Sequence, residues 1–150
     1  MIMAGMKSPV GDLSVTITAG GVVSLDWQEA PLSTDALAKQ ALAQLAEYFA
    51  GSRRAFDVPL RPRGSEFQRE FYRALCDIPY GQTRTYGDLA KRLGVSAQAI
   101  GQACGSNPIP ILIPCHRVLG SNGLGGYSGA GGVETKVALL RLEGAAGLLI

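Results

Sequence analysis

Residues 85–108 read "TYGDLAKRLGVSAQAIGQACGSNP". A first helix runs up to Gly94, which makes a turn, Ser96 caps a second helix, and Asn107-Pro108 closes it. The stretch therefore predicts a helix-turn-helix. Spacing alone fits a DNA-binding unit and an ordinary helical hairpin equally well. The second helix carries Ala97, Gln98, Ala99, Gly101, Ala103 and Gly105. Such a face cannot spell out a base sequence in the major groove, where Arg, Asn and Gln do the reading. Small residues at this density let a backbone come close to a second helix or to a groove wall.

Upstream, "SEFQREFYRALCDI" (65–78) has Ser65 as a cap and Phe67, Phe71 and Leu75 on one face, so a further helix ends before Pro79. The segment "VPLRPRGSE" (58–66) holds two prolines and a glycine and marks a boundary, with domains expected at 1–60 and 61–150. Before it, "PVGDLSVTITAGGVVSLDW" (9–27) predicts a hairpin with Leu13, Val15 and Ile17 on one face. "STDALAKQALAQLAEYFAG" (33–51) predicts an amphipathic helix with Leu37, Leu42, Leu45 and Phe49 inward. The first part is thus a small α+β unit.

Downstream, "NPIPILIP" (107–114) brackets an apolar run with prolines and reads as buried, extended chain that delivers Cys115. Seven glycines fall within "GSNGLGGYSGAGG" (120–132), a loop able to lie against a planar ligand. "VETKVALLRLEG" (133–144) closes with a helix whose apolar positions include Val133, Val137 and Leu140.

Composition narrows the function classes. The 150 residues are 47% hydrophobic, enough for a core without staples. Three separated cysteines make no disulfide framework, which points to a reducing, cytoplasmic setting. No segment reads as a signal peptide or approaches the ~20 apolar residues of a membrane span. Net charge is +2, split into four basic and six acidic residues over 1–60 and ten basic and six acidic over 61–150. The basic second part suits a polyanion.

The chain has a single histidine, His116, directly after Cys115. A cysteine attacks as thiolate, so its proton needs an acceptor. Neighbours at i and i+1 project differently, which makes a water between thiol and imidazole the natural link. A carboxylate should set the imidazole tautomer, and both Glu134 and Glu143 are available. Arg117 adds positive charge that favours thiolate if it points inward. One histidine and three scattered cysteines supply no zinc-ligand spacing, so neither metal nor cofactor is expected.

"NPIPILIPCHRV", "GLGGYSG" and "LEG", with "SPVGDLSV", "YFAG", "FDVPL", "GSEFQREFYRALCDIPYGQTRTYGDLA" and "ALLRLEG" in the same order, resemble the methylated-DNA:protein-cysteine methyltransferases, the O6-alkylguanine-DNA alkyltransferase family. The resemblance implies an α+β fold: a small N-terminal ribonuclease-H-like domain, then an all-α domain with the helix-turn-helix and the Pro-Cys-His-Arg-Val segment. It implies a monomer that meets double-stranded DNA through the minor groove, flips an O6-alkylated guanine and takes its alkyl group irreversibly onto Cys115.

By position, His116 would relay the proton, Glu143 would orient it, Asn107 would brace the turn and Tyr86 would hydrogen-bond the guanine. Backbone at Cys115, Val118 and Ser128 would read the base edge. Tyr127, Cys104 and Pro110 would shape the pocket, and Ala97, Gln98, Gly101 and Arg117 would face DNA. The family normally carries an arginine where this chain has Gln98. Glutamine is shorter and neutral and cannot stack as a planar cation in the gap left by the base. A lesion-recognition protein with weak or no transfer is the alternative. A cysteine hydrolase is disfavoured, because no amide-rich oxyanion motif accompanies the pair.

Overall fold

A computed structural model describes residues 1–120, 123–127 and 129–145. The chain divides into two compact units, Met1–Arg63 and Gly64–Ile150.

In the first unit, β1 (Ile2–Ser8), β2 (Gly11–Thr18) and β3 (Gly21–Asp26) form an antiparallel sheet in that order, with Val15 opposite both Ala4 and Leu25. The expected hairpin is β2–β3, and β1 is an addition to it. Its text, "IMAGMKS", has one β-branched residue and a central glycine, a weak strand signal. Gly5 is there because the Ala30 backbone passes so close that a Cβ would lie 2.6 Å from its carbonyl oxygen.

Both outer strands are covered. The Gly5 N–H donates to Pro31 O (3.1 Å), and Val22 exchanges bonds with Pro59 O (2.9 Å) and Arg61 N (2.8 Å), which removes open edges. Helix α1 (Ala36–Phe49) is capped by Asp35 and buries Ala38, Ala41, Leu45 and Tyr48. Of the inward positions read from sequence, only Leu45 is fully buried; Leu37, Leu42 and Phe49 are half-buried beside that narrower seam.

In the second unit, α2 (Glu66–Cys76) starts from a Ser65–Gln68 capping box, and α3 (Tyr86–Leu93) from a Thr85–Asp88 box. Gly94 takes the left-handed conformation (φ 69°) that ends α3, and Ser96 caps α4 (Ala97–Gly105). The helix-turn-helix is present with its predicted Gly94 turn and Ser96 cap. Phe71, Leu75, Ile100, Ile109, Ile113, Leu139 and Leu140 are buried in this unit.

The all-α expectation needs one amendment. Two-residue strands β4 (Arg84–Thr85) and β5 (Val118–Leu119) pair in parallel, too short to leave a sequence pattern. The "PILIP" run is buried as expected but turned, not extended. Leu112 N–H bonds Pro110 O (2.9 Å), Ile113 N–H bonds Ile109 O (2.9 Å), and Ile111 sits at φ 72°, a left-handed conformation rare for a β-branched residue. A 3-10 turn over Cys115–Arg117 follows, and α5 (Val133–Leu142) closes the unit. Within α5 the inward face is Thr135, Lys136, Leu139 and Leu140, whereas Val133 is exposed and Val137 half-buried.

Candidate active site

The PILIP turn is held by Asn107. Its side-chain amide donates to Ile113 O (2.9 Å) while its oxygen accepts from Ile109 N–H (3.0 Å). One buried side chain therefore closes both ends of a loop whose prolines cannot donate. The same side chain helps to pull the Cys115 thiol pKa down against burial.

Cys115 borders a cavity of about 350 Å³ together with Tyr86, Cys104, Tyr127 and the glycines Gly101, Gly105 and Gly126. Tyr86, at the first position of α3, forms one wall. Gly125 (φ 71°) passes so near that a Cβ would sit 2.8 Å from the Tyr86 hydroxyl, so the glycine is required on two counts. At Gly101 and Gly105, by contrast, a Cβ would meet nothing within 4 Å. Internal packing does not demand those two glycines. Ala97, Gln98 and Gly101 are exposed on α4.

His116 is fully buried, and its Nε2 lies 2.7 Å from Glu143 Oε2. The structure thereby chooses between the two carboxylates: Glu134 is exposed, and Glu143 faces inward. Burial alone would raise the Glu143 pKa, but hydrogen bonds from His116 and Arg117 hold it down to about 2. A carboxylate can only accept, so Nε2 carries the proton and Nδ1 presents its lone pair. Burial lowers the His116 pKa against the raising effect of Glu143, which keeps the ring neutral. Nδ1 is buried and has no hydrogen-bond partner among the described residues.

Arg117 corrects an expectation. It does not face DNA: its Nε donates to Glu143 Oε1 (2.8 Å), Nη2 to Glu143 Oε2 (3.0 Å) and Nη1 to Ile78 O (2.7 Å), with the guanidinium near the Tyr80 ring. A planar fork matched to a carboxylate is satisfied inside the protein.

Val118 and Pro110 also lie off the cavity. Val118 is sealed in β5 with its N–H on Cys115 O and its carbonyl accepting from Lys136, and Pro110 bridges to Ile113 within the turn. Ser128 lies outside the described residues.

Sequence reasoning missed Lys136. Its fully buried ammonium donates to Val118 O (2.7 Å), to Leu124 O and to Gly126 O (3.0 Å), tying the glycine loop to α5. Positions 136, 139, 140 and 143 share one helix face, a spacing that puts Lys136 and Glu143 inward and leaves Glu134 outside. Burial pushes the Cys115 thiol up, while the Asn107 hydrogen bond and the Lys136 charge pull it down. The cation acting on the thiol is Lys136 and not Arg117. Burial also raises the Tyr86 pKa, so its hydroxyl stays protonated at neutral pH. No cluster of three His, Cys, Asp or Glu could hold a metal among the described residues, and no helix there is long and apolar enough to cross a membrane.

A sheet-and-helix unit followed by a helical unit, with a helix-turn-helix beside a thiol-lined cavity and a buried Glu-His pair, defines a two-domain protein with a cysteine-centred site. The chain belongs to the 6-O-methylguanine DNA methyltransferase family: residues 1–62 match its ribonuclease-like domain and residues 66–145 its DNA-binding domain. It is 41% identical to a methylated-DNA–protein-cysteine methyltransferase of Methanosarcina acetivorans over 96% of this chain and 99% of that one. It is 38% identical to the constitutive enzyme of that name from Bacillus subtilis, over 91% and 92%. Among solved structures, Mycobacterium tuberculosis OGT in complex with DNA superposes with a TM-score of 0.84 at 42% identity, covering 95% of this chain and 92% of that one.

Proposed function

We propose that this protein repairs DNA by accepting, once per molecule, the alkyl group of O6-alkylguanine on Cys115. The observation that carries the reading is a Cys115 in the cavity wall, followed directly in the chain by a His116 whose Nε2 is fixed by Glu143 and whose Nδ1 lone pair is uncommitted. The Cys115 proton passes through a water to His116 Nδ1. The sulfur then bonds the alkyl carbon as the carbon–O6 bond breaks. The guanine departs with the electron pair, and the protonated Tyr86 hydroxyl donates to it. A raised thiol pKa suits this sequence, because the thiolate forms only when a base and a substrate are both in place.

An O6 atom within a duplex cannot reach a pocket nucleophile, so the base has to be extruded, at a cost of a few kcal/mol that is lower for a mispaired lesion. The exposed small residues of α4 beside the cavity mouth suit close approach of a duplex minor groove. Gln98 supports a second reading, a lesion-binding protein with slow transfer, since this exposed side chain lacks the charge and plane of arginine. Incubation with a duplex containing O6-methylguanine, followed by intact-protein mass measurement, separates the two. Gain of one methyl group at Cys115 is expected; an unchanged mass with a gel shift would establish the binder instead.

A further inference from the structure

The cavity contains a second thiol that alkyl transfer does not use. Cys104, in the last turn of α4, borders the same space as Cys115. Asn107 joins their two segments, since its N–H donates to Cys104 O (3.3 Å) and its side chain closes the turn that leads to Cys115. Both thiols face the same space of about 350 Å³, with Tyr86 and Tyr127 on its wall. Cys76, the remaining cysteine, is exposed and does not border the cavity.

We propose that Cys104 is a resolving thiol, which under peroxide closes a reversible disulfide with Cys115 inside the alkyl-acceptor cavity; the consequence for repair rests on the function proposed above. In the first step the Cys115 sulfur bonds one oxygen of hydrogen peroxide and the O–O bond breaks, leaving sulfenic acid and water. In the second, the Cys104 sulfur bonds the Cys115 sulfur, the S–O bond breaks, and the Cys104 proton leaves with the departing hydroxide as a second water. The two sulfurs together lose two electrons and the peroxide gains them. Cys115 is oxidised first because His116 is the base that can take its proton, whereas burial pushes the Cys104 thiol up to about 12 and it acts afterwards.

The device fits a protein that can use its acceptor only once. Sulfenic acid left alone proceeds to sulfinic and sulfonic acids, which reductant does not reverse, whereas a disulfide returns the thiol. It also blocks the cavity while oxidant persists.

The experiment treats the full-length protein with hydrogen peroxide, maps it by non-reducing peptide mass spectrometry, and measures methyl uptake before treatment, after it, and after dithiothreitol. The Cys104→Ser variant is run in parallel, with its uptake referred to its own untreated level. A Cys104–Cys115 linked peptide is expected in the parent, with uptake lost on oxidation and at least half restored on reduction. The variant should instead gain oxygen on Cys115 and recover less than a tenth. Oxygenated Cys115 without the linked peptide, linkage of Cys115 to Cys76, or equal recovery in both proteins would overturn the proposal. The linked peptide is read whether or not methyl uptake occurs, so failure of the repair function remains distinguishable.

Discussion

His116 Nε2 stands 2.7 Å from Glu143 Oε2 with both side chains fully buried, and Arg117 occupies both oxygens of the same carboxylate. One glutamate thus sets a tautomer and neutralises a buried cation. Glu143→Gln should slow methyl transfer about 100-fold or more, the scale of a positioned general base. Stability should fall by about 3–5 kcal/mol, because Arg117 loses its counter-charge. Single-turnover kinetics and denaturant unfolding measure the two losses separately; unchanged transfer would remove Glu143 from the relay.

The same pair sets the response to acid. Glu143 titrates near 2 in the folded protein and about 4.3 unfolded, so its contribution is complete above the unfolded value and lost as pH falls toward 2. The size is on the order of 3 kcal/mol. His116 acts in the same direction, since its folded pKa lies below 6.5 and the unfolded chain takes up the proton first. Stability should therefore decline from about pH 6.5 downward, and Glu143→Gln should flatten the profile below about pH 4.5. Denaturation midpoints across that range test it, and a profile in the variant as steep as in the parent would contradict it.

Lys136 holds three loop carbonyls with one ammonium. Lys136→Met keeps the stem but leaves these acceptors unpaired at about 1–3 kcal/mol each. The expected result is faster hydrogen exchange at Gly125 and Gly126, a raised Cys115 pKa and slower transfer. Lys136→Arg should not restore them, because a planar fork does not reproduce a compact three-donor cation. Exchange mass spectrometry and the pH dependence of thiol alkylation are the readouts.

Gln98 is exposed near the start of α4. Gln98→Arg should speed repair of a duplex lesion about tenfold, roughly one charge-assisted contact, and change transfer from free O6-methylguanine little. Equal rates on duplex DNA for the two proteins would show that flipping does not depend on this position.

Local signals carried much of the architecture. Ser65 and Ser96 cap the helices they were expected to cap, and Gly94 ends α3, because capping and left-handed turns involve only a few neighbouring residues. Strand β1 escaped notice because its support is pairing with β2, which its own residues do not advertise. The PILIP turn escaped because Asn107 must satisfy Ile109 and Ile113 before the chain can turn there.

The sequence by itself determined the helix boundaries, the family and the adjacency of the one histidine to Cys115, all properties of local order along the chain. Only the tertiary structure decided that Arg117 turns inward and that Lys136 latches the glycine loop, and it seats against His116 the Glu143 that spacing alone did not separate from Glu134. The physical reason is that these choices depend on which face of α5 is buried and on which charges must be paired once water is excluded.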